Sequence, residues 1–143
     1  MTLARSDESA LVALTLEYGD AVRARDVERW TATWTDDARW VLGEGRDVVG
    51  REAIVDMWST SIAKYTTVVQ LYLCCTYDVD GDTARGRCEL QELNIKSGGG
   101  RHVMAGHYDD TYRLTPGGWR FTSRRLTKYY AGPPDLMGDF FTG

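Results

Sequence analysis

The chain predicts an α+β fold, with helices first and a meander of long antiparallel strands after them. Three observations carry this expectation. Up to Tyr65, apolar residues recur at helical spacing. Beyond Tyr65 the pattern changes to long alternating runs. Gly-containing turn signals (Asp80-Gly81, SGGGR at 97–101, TPGG at 115–118) then divide those runs into strands. A curved sheet wrapped around a helix leaves a concave pocket, so the pattern also predicts a cavity.

Each element has its own signal. Ser6 followed by Asp7 and Glu8 reads as a helix cap with acids in the first turn. Leu11, Leu14, Tyr18 and Val22 follow on one face, so the first helix runs to about Arg25. Asp26 caps a short second helix with Trp30 and Trp34 on one face. ARWVL (38–42) is a short strand, followed by the turn GEGR and then DVVG. Asp36 and Asp37, at the end of the short helix, shape a turn. A third helix starts near Arg51, with Ile54, Trp58, Ile62 and Tyr65 in phase. TTVVQLYLCCTYDV, TARGRCELQELNIK, HVMAGHYDDTYRL and WRFTSRRLTKYY are the four long strands. AGPPDLMGDFFTG is a Gly/Pro-containing tail whose Leu136, Met137, Phe140 and Phe141 close the pocket mouth or cover a neighbouring subunit. No repeat or linker interrupts the 143 residues, which read as one domain over 1–143.

Composition excludes several function classes. At 43% hydrophobic and 11% aromatic the chain makes a packed globule. A formal net charge of -4 and the lack of a basic stripe argue against nucleic-acid binding. No apolar run is long enough for a membrane span, and MTLARSDESA lacks the apolar core of a leader, so the sequence reads as cytoplasmic. Cys74, Cys75 and Cys88 are odd in number and contain no CxxC, so neither a disulfide framework nor a zinc site is expected; they read as small core residues. With only His102 and His107, a histidine-based metal site is not expected either.

Strand side chains alternate between faces. In the second long strand Ala84, Gly86, Cys88 and Leu90 form the inner set, and that parity also turns Glu92 inward. In the third, Met104, Gly106, Tyr108, Asp110 and Tyr112 form the larger, more aromatic set and are placed inside. A bulge would invert this parity. His107 then points outward, and His102 lies at the strand start; neither is read as a catalyst. Asp110 becomes an inward carboxyl among aromatics. Such a group either stays charged beside a cation or has its pKa raised and donates a hydrogen bond. A neutral acid of that kind stabilises an enolate.

Several pieces recur in a fixed order: EY…ARD (17–26), WTDDARW (34–40), GREAI (50–54), VDGDTARGR (79–87) and GHYDDTYR…GGWRF…R (106–125). Over roughly Leu11 to Tyr130 the chain resembles the SnoaL-like branch of the nuclear transport factor 2-like superfamily. That resemblance implies a conical α+β barrel, with three helices against a strongly curved, mixed, mostly antiparallel sheet, and a homo-oligomer, either dimer or trimer. Relatives include ketosteroid isomerases, scytalone and bile-acid dehydratases, a dehydrochlorinase and polyketide cyclases, so the fold leaves the reaction open. Tyr18 matches the oxyanion-donating tyrosine of the isomerases, and Asp110 their protonated aspartic acid. Their general base falls near Leu42, which cannot take a proton. The Asp and His of the dehydratases fall on Arg23 and near Gln70. A further dehydratase carboxylate falls near Glu92, which keeps the acid.

The resemblance thus implies an acid–base enzyme, a lyase, isomerase or cyclase without metal or organic cofactor, acting on a small hydrophobic carbonyl compound such as a polyketide or steroid. Tyr18 and Asp110 hold the enolate oxygen and Glu92 moves the proton. Arg23, Trp40, Trp58, Gln70, Tyr72, Tyr108, Tyr112 and Arg125 are the expected ligand contacts, the aromatics suiting a flat apolar ring system. The competing readings are a binding module, in which Arg23 and Arg125 neutralise Asp110 and Glu92, and a structural subunit with a filled interior.

Overall fold

The computed structural model describes residues 6–141. Residues 1–5 of the run read for a leader, and Thr142 and Gly143 of the tail, lie outside the described residues. Helix α1 (Asp7–Ala24) is capped by the Ser6 hydroxyl, which accepts the Ser9 amide at 3.1 Å. It buries Leu11, Leu14, Tyr18 and Val22, one stripe at 3.6-residue spacing. Asp26 caps α2 (Val27–Thr31), accepting from the Arg29 amide. Among the described residues, α3 (Arg51–Ile62) is the third helix, with Ile54 and Trp58 inward. No described helix is long and apolar enough to cross a membrane.

The strands are β1 (Trp34–Gly43), β2 (Arg46–Val49), β3 (Tyr65–Asp80), β4 (Thr83–Lys96), β5 (Arg101–Thr115), β6 (Gly118–Gly132) and β7 (Asp139–Phe140). They form one mixed sheet in the order β2-β1-β6-β5-β4-β3, with β7 on β6. The β1–β6 pair is parallel and the others are antiparallel. β2 and β3 end the order unpaired with each other, so the cone is open rather than a closed barrel. Its concave face holds the helices over a core dominated by aromatics, where Trp30 stacks on Trp58 with centroids 4.4 Å apart.

The strand boundaries differ from the sequence reading in instructive ways. Trp34 does not share a helical face with Trp30; it opens β1, because the Phe121 amide donates to the Thr33 carbonyl at 2.8 Å and sheet pairing takes over from there. Asp36 and Asp37 therefore stand on a strand, where Arg51 and Arg113 pair with them. Tyr65 belongs to β3, since α3 ends at Ile62. A register shift between Tyr72 and Cys74 leaves Cys74 exposed and Cys75 half-buried; only Cys88 is a core cysteine.

The β4–β5 register runs without a break from Thr83↔Arg113 to Ile95↔Arg101, so the inward parity of both strands holds. The bulges lie in β6 instead. Thr122 is skipped between Thr111↔Ser123 and Tyr112↔Phe121, and Tyr129 between Ala105↔Tyr130 and Gly106↔Lys128. Regular alternation from Trp119 and Phe121 would send Arg125 inward. The extra residue at Thr122 shifts the phase by one, so Arg124 enters the core and Arg125 faces out.

Candidate functional site

Between α1, α3 and the concave sheet lies a cavity of about 300 Å³. Val22, Leu42, Trp58, Val68, Met104 and Leu126 make much of its wall apolar. Tyr18 and Tyr108 bring hydroxyls to it. Burial raises the Tyr18 pKa well above its ordinary value and pushes that of Tyr108 up to about 12, with Arg124 opposing both shifts. Both phenols are therefore neutral donors at physiological pH. The Trp40 indole N–H donates to the Tyr108 oxygen at 3.3 Å, which leaves the Tyr108 proton for a ligand.

The polar wall comes from β3, β4 and β5. Glu92, half-buried, accepts from Gln70 Nε2 on one oxygen (3.0 Å) and from Asn94 Nδ2 on the other (2.9 Å). Tyr72 donates to Gln70 Oε1 at 2.9 Å, which fixes the orientation of that amide. His102 pairs across the strands with Asn94, its Nδ1 at 3.5 Å from Asn94 Nδ2. Burial, then the Lys96 charge, holds the His102 pKa below its ordinary value although Glu92 opposes this, so the ring is neutral at physiological pH. Glu92 is held by two amides in the wall of a mostly apolar chamber that Tyr18 and Tyr108 also line. That arrangement can take a proton from carbon and stabilise the oxygen anion that forms.

Of the residues singled out in the sequence, Tyr18, Trp40, Trp58, Gln70, Glu92 and Tyr108 line this cavity. Asp110 does not. It lies beneath the floor, its two oxygens accepting from Arg124 Nε at 2.8 Å and Nη2 at 3.2 Å, both side chains 0% exposed. Tyr112 adds a hydrogen bond to Asp110 at 3.1 Å and stays behind it. The guanidinium lies between rings, 3.9 Å from the Tyr108 centroid and 4.4 Å from that of Tyr18. Burial pushes the Asp110 carboxyl up, while Arg124 and Tyr112 pull it down. With three donors on its two oxygens, the carboxyl has the environment of an ionised group, not of an acid offering its proton. Tyr72 supports the site from behind, joining Arg124 Nη1 (3.1 Å) to Gln70. Arg23 follows Val22 by 100° of helix rotation, which turns it to solvent beside Asp20. Arg125 is on the outer face by the bulge described above. His107 also faces outward, covered by Tyr129 at 2.6 Å and Asp109 at 3.1 Å.

The sequence reading missed Asn94, His102, Arg46 and Lys128, which line the cavity, and Arg124, which underlies it. Asn94 shares the parity of Glu92, and His102 that of Met104, so both were legible as inward residues. Among the described residues, no cluster of His, Cys, Asp or Glu is placed to hold a metal ion.

The sequence matches the family described as SnoaL-like domain over residues 4–125. No curated protein matches it significantly. Among solved structures, one named provisionally as a scytalone dehydratase, from Novosphingobium aromaticivorans, superposes with a TM-score of 0.85 at 16% identity, covering 96% of this chain and 93% of that one. The hexachlorocyclohexane dehydrochlorinase LinA-type3 from Novosphingobium barchaimii gives 0.80 at 21% identity, covering 95% and 94%. Rv3472 from Mycobacterium tuberculosis, described as of unknown function, gives 0.74 at 26% identity, covering 83% and 69%. At 16% and 21% identity, the first two likenesses are ones of fold.

Proposed function

The chain belongs to the SnoaL-like domain family, and we propose that it is an acid–base enzyme of lyase or isomerase type, working on a small apolar carbonyl compound bound in the cavity. Glu92 takes a proton from the carbon next to the carbonyl. Tyr18 and Tyr108 donate hydrogen bonds to the oxygen as it becomes an enolate. The proton then returns at another position, or a leaving group departs. Gln70 and Asn94 keep the carboxylate aimed, and neutral His102 stands beside Asn94, its Nδ1 facing the Asn94 amide. All of these groups belong to the chain, so this chemistry asks for no cofactor. The observation that carries the reading is the Glu92 carboxylate, fixed by two amides in the wall of an apolar cavity that also presents two neutral phenols. The names of the dehydratase and dehydrochlorinase neighbours agree with a proton-abstracting reaction class. In this reading the protein is a cytoplasmic homo-oligomer. The exposed thiol of Cys74 suits a reducing compartment, and exposed Leu71, Leu73 and Leu93 near the free edge at β3 suit a subunit contact.

Binding of β-naphthol, followed by its absorbance, tests the donors. The bound phenol should show the spectrum of a strongly hydrogen-bonded or ionised oxygen, and Tyr18→Phe should remove that shift. The same neutral spectrum in wild type and variant would overturn the role of Tyr18. The second reading, a ligand-binding module, is favoured by the pairing of Asp110 with Arg124, which withdraws one of the two inward carboxyls from chemistry.

A further inference from the structure

The mouth of the cavity carries a charge pattern that the proton-transfer reading does not use. The chain has a formal net charge of -4. Yet the ionised residues lining the cavity are Arg46, Lys128 and Glu92, two cations against one anion. Glu92 is already occupied by its two amide donors. Lys128 is mostly buried, its side chain 17% exposed, and a desolvated ammonium needs a counter-charge. Its partner is Glu44 at 3.2 Å, from the β1–β2 turn. Arg46 shares that carboxylate at 3.7 Å. Glu44 itself is 65% exposed and sits between Gly43 and Gly45, all three with positive φ. One solvent-facing carboxylate on a tight turn therefore neutralises two cations that reach into the chamber. A ligand carboxylate in the same place would keep Lys128 compensated, and Glu44, itself mostly exposed, returns to water at little cost.

We propose that the ligand of this cavity is an apolar ring compound bearing a carboxylate, which displaces Glu44 and binds Lys128 and Arg46 at the mouth while its ring body fills the apolar chamber. This inference rests on the reading of the cavity as a small-molecule site and adds the charge of the ligand to it. Glu44 acts as a stand-in for the ligand's anionic group. It holds the two cations in place when the cavity is empty and gives them up on binding.

Calorimetric titration with β-naphthoate and its neutral isostere β-naphthamide tests this on the full chain. Wild type should bind the carboxylate about tenfold more tightly than the amide, the difference one charge-assisted hydrogen bond makes. Lys128→Met, which keeps the apolar stem, should remove that preference and leave the amide affinity unchanged. Arg46→Met, at an exposed site, should reduce it, and Glu44→Gln should tighten the carboxylate alone. Equal affinity for the two probes in wild type, or equal losses for both in Lys128→Met, would overturn the proposal and leave an uncharged apolar site. Binding of neither probe would overturn the proposal together with the small-molecule reading beneath it.

Discussion

Replacing Arg124 by Met should destabilise the protein severely. The side chain is fully buried, and it is the cation that compensates the equally buried Asp110 through two hydrogen bonds of 2.8 and 3.2 Å. Removing one member of such a pair strands the other charge in the interior, at about 3–5 kcal/mol. Arg124 also donates to Tyr72, so the orienting bond on Gln70 loses its support. With a urea m-value of about 2 kcal/mol/M, the midpoint falls by roughly 1.5–2.5 M. The buried tryptophans report the transition by fluorescence. Asp110→Asn should cost a comparable amount, because the guanidinium is then the uncompensated group. The double variant should cost at least about 2 kcal/mol less than the sum of the two, as coupled charge pairs do. Additive losses, or a loss below about 1 kcal/mol in either single variant, would refute the view that Asp110 and Arg124 form one structural unit under the cavity.

Other consequences are equally direct. The His102 ring should titrate by NMR with a midpoint below the ordinary histidine value of about 6.5, because burial disfavours its charged form. The unfolded chain binds that proton more readily, so this ring contributes stability that is present above pH ~6.5 and is lost as pH falls from there towards the folded pKa. A midpoint at or above the ordinary histidine value would contradict this. Gly106→Ala should unfold the protein at lower denaturant by roughly 1–3 kcal/mol, since an added Cβ would lie 2.3 Å from the Thr127 carbonyl oxygen. An unchanged urea midpoint would show that β6 yields there. Ser6→Ala should cost about 1 kcal/mol by removing the cap on α1, read in the same assay, and no loss would mean that water replaces it.

The parts of the site that were legible in the sequence are those where local rules run uninterrupted. Ser6 and Asp26 signalled two helix starts through their own side chains. The unbroken β4–β5 register let simple alternation turn Glu92, Tyr108 and Asp110 inward. Alternation failed where the sheet bends. The bulges at Thr122 and Tyr129 lie in β6, and WRFTSRRLTKYY carries no glycine to announce them; the one glycine at a bulge, Gly106, sits across the second one in β5. The inward cation was therefore assigned to Arg125 instead of Arg124, and Asp110 read as a free acid when its counter-ion stands beside it in β6. His102 and Asn94 were different. Their parity was readable, but a position near a strand end gave no measure of how far the cavity extends along the sheet.

The most direct test of the central claim, that Glu92 moves a proton within this cavity, is exchange of the α-hydrogens of β-tetralone for deuterium in heavy water, followed by NMR. The wild-type protein should accelerate the exchange over buffer. Glu92→Gln should lose about 100-fold or more of that acceleration, the lower end of what a positioned base contributes, while still binding the ketone. Exchange at the wild-type rate in Glu92→Gln, or no exchange while the wild type holds the ketone, would contradict it.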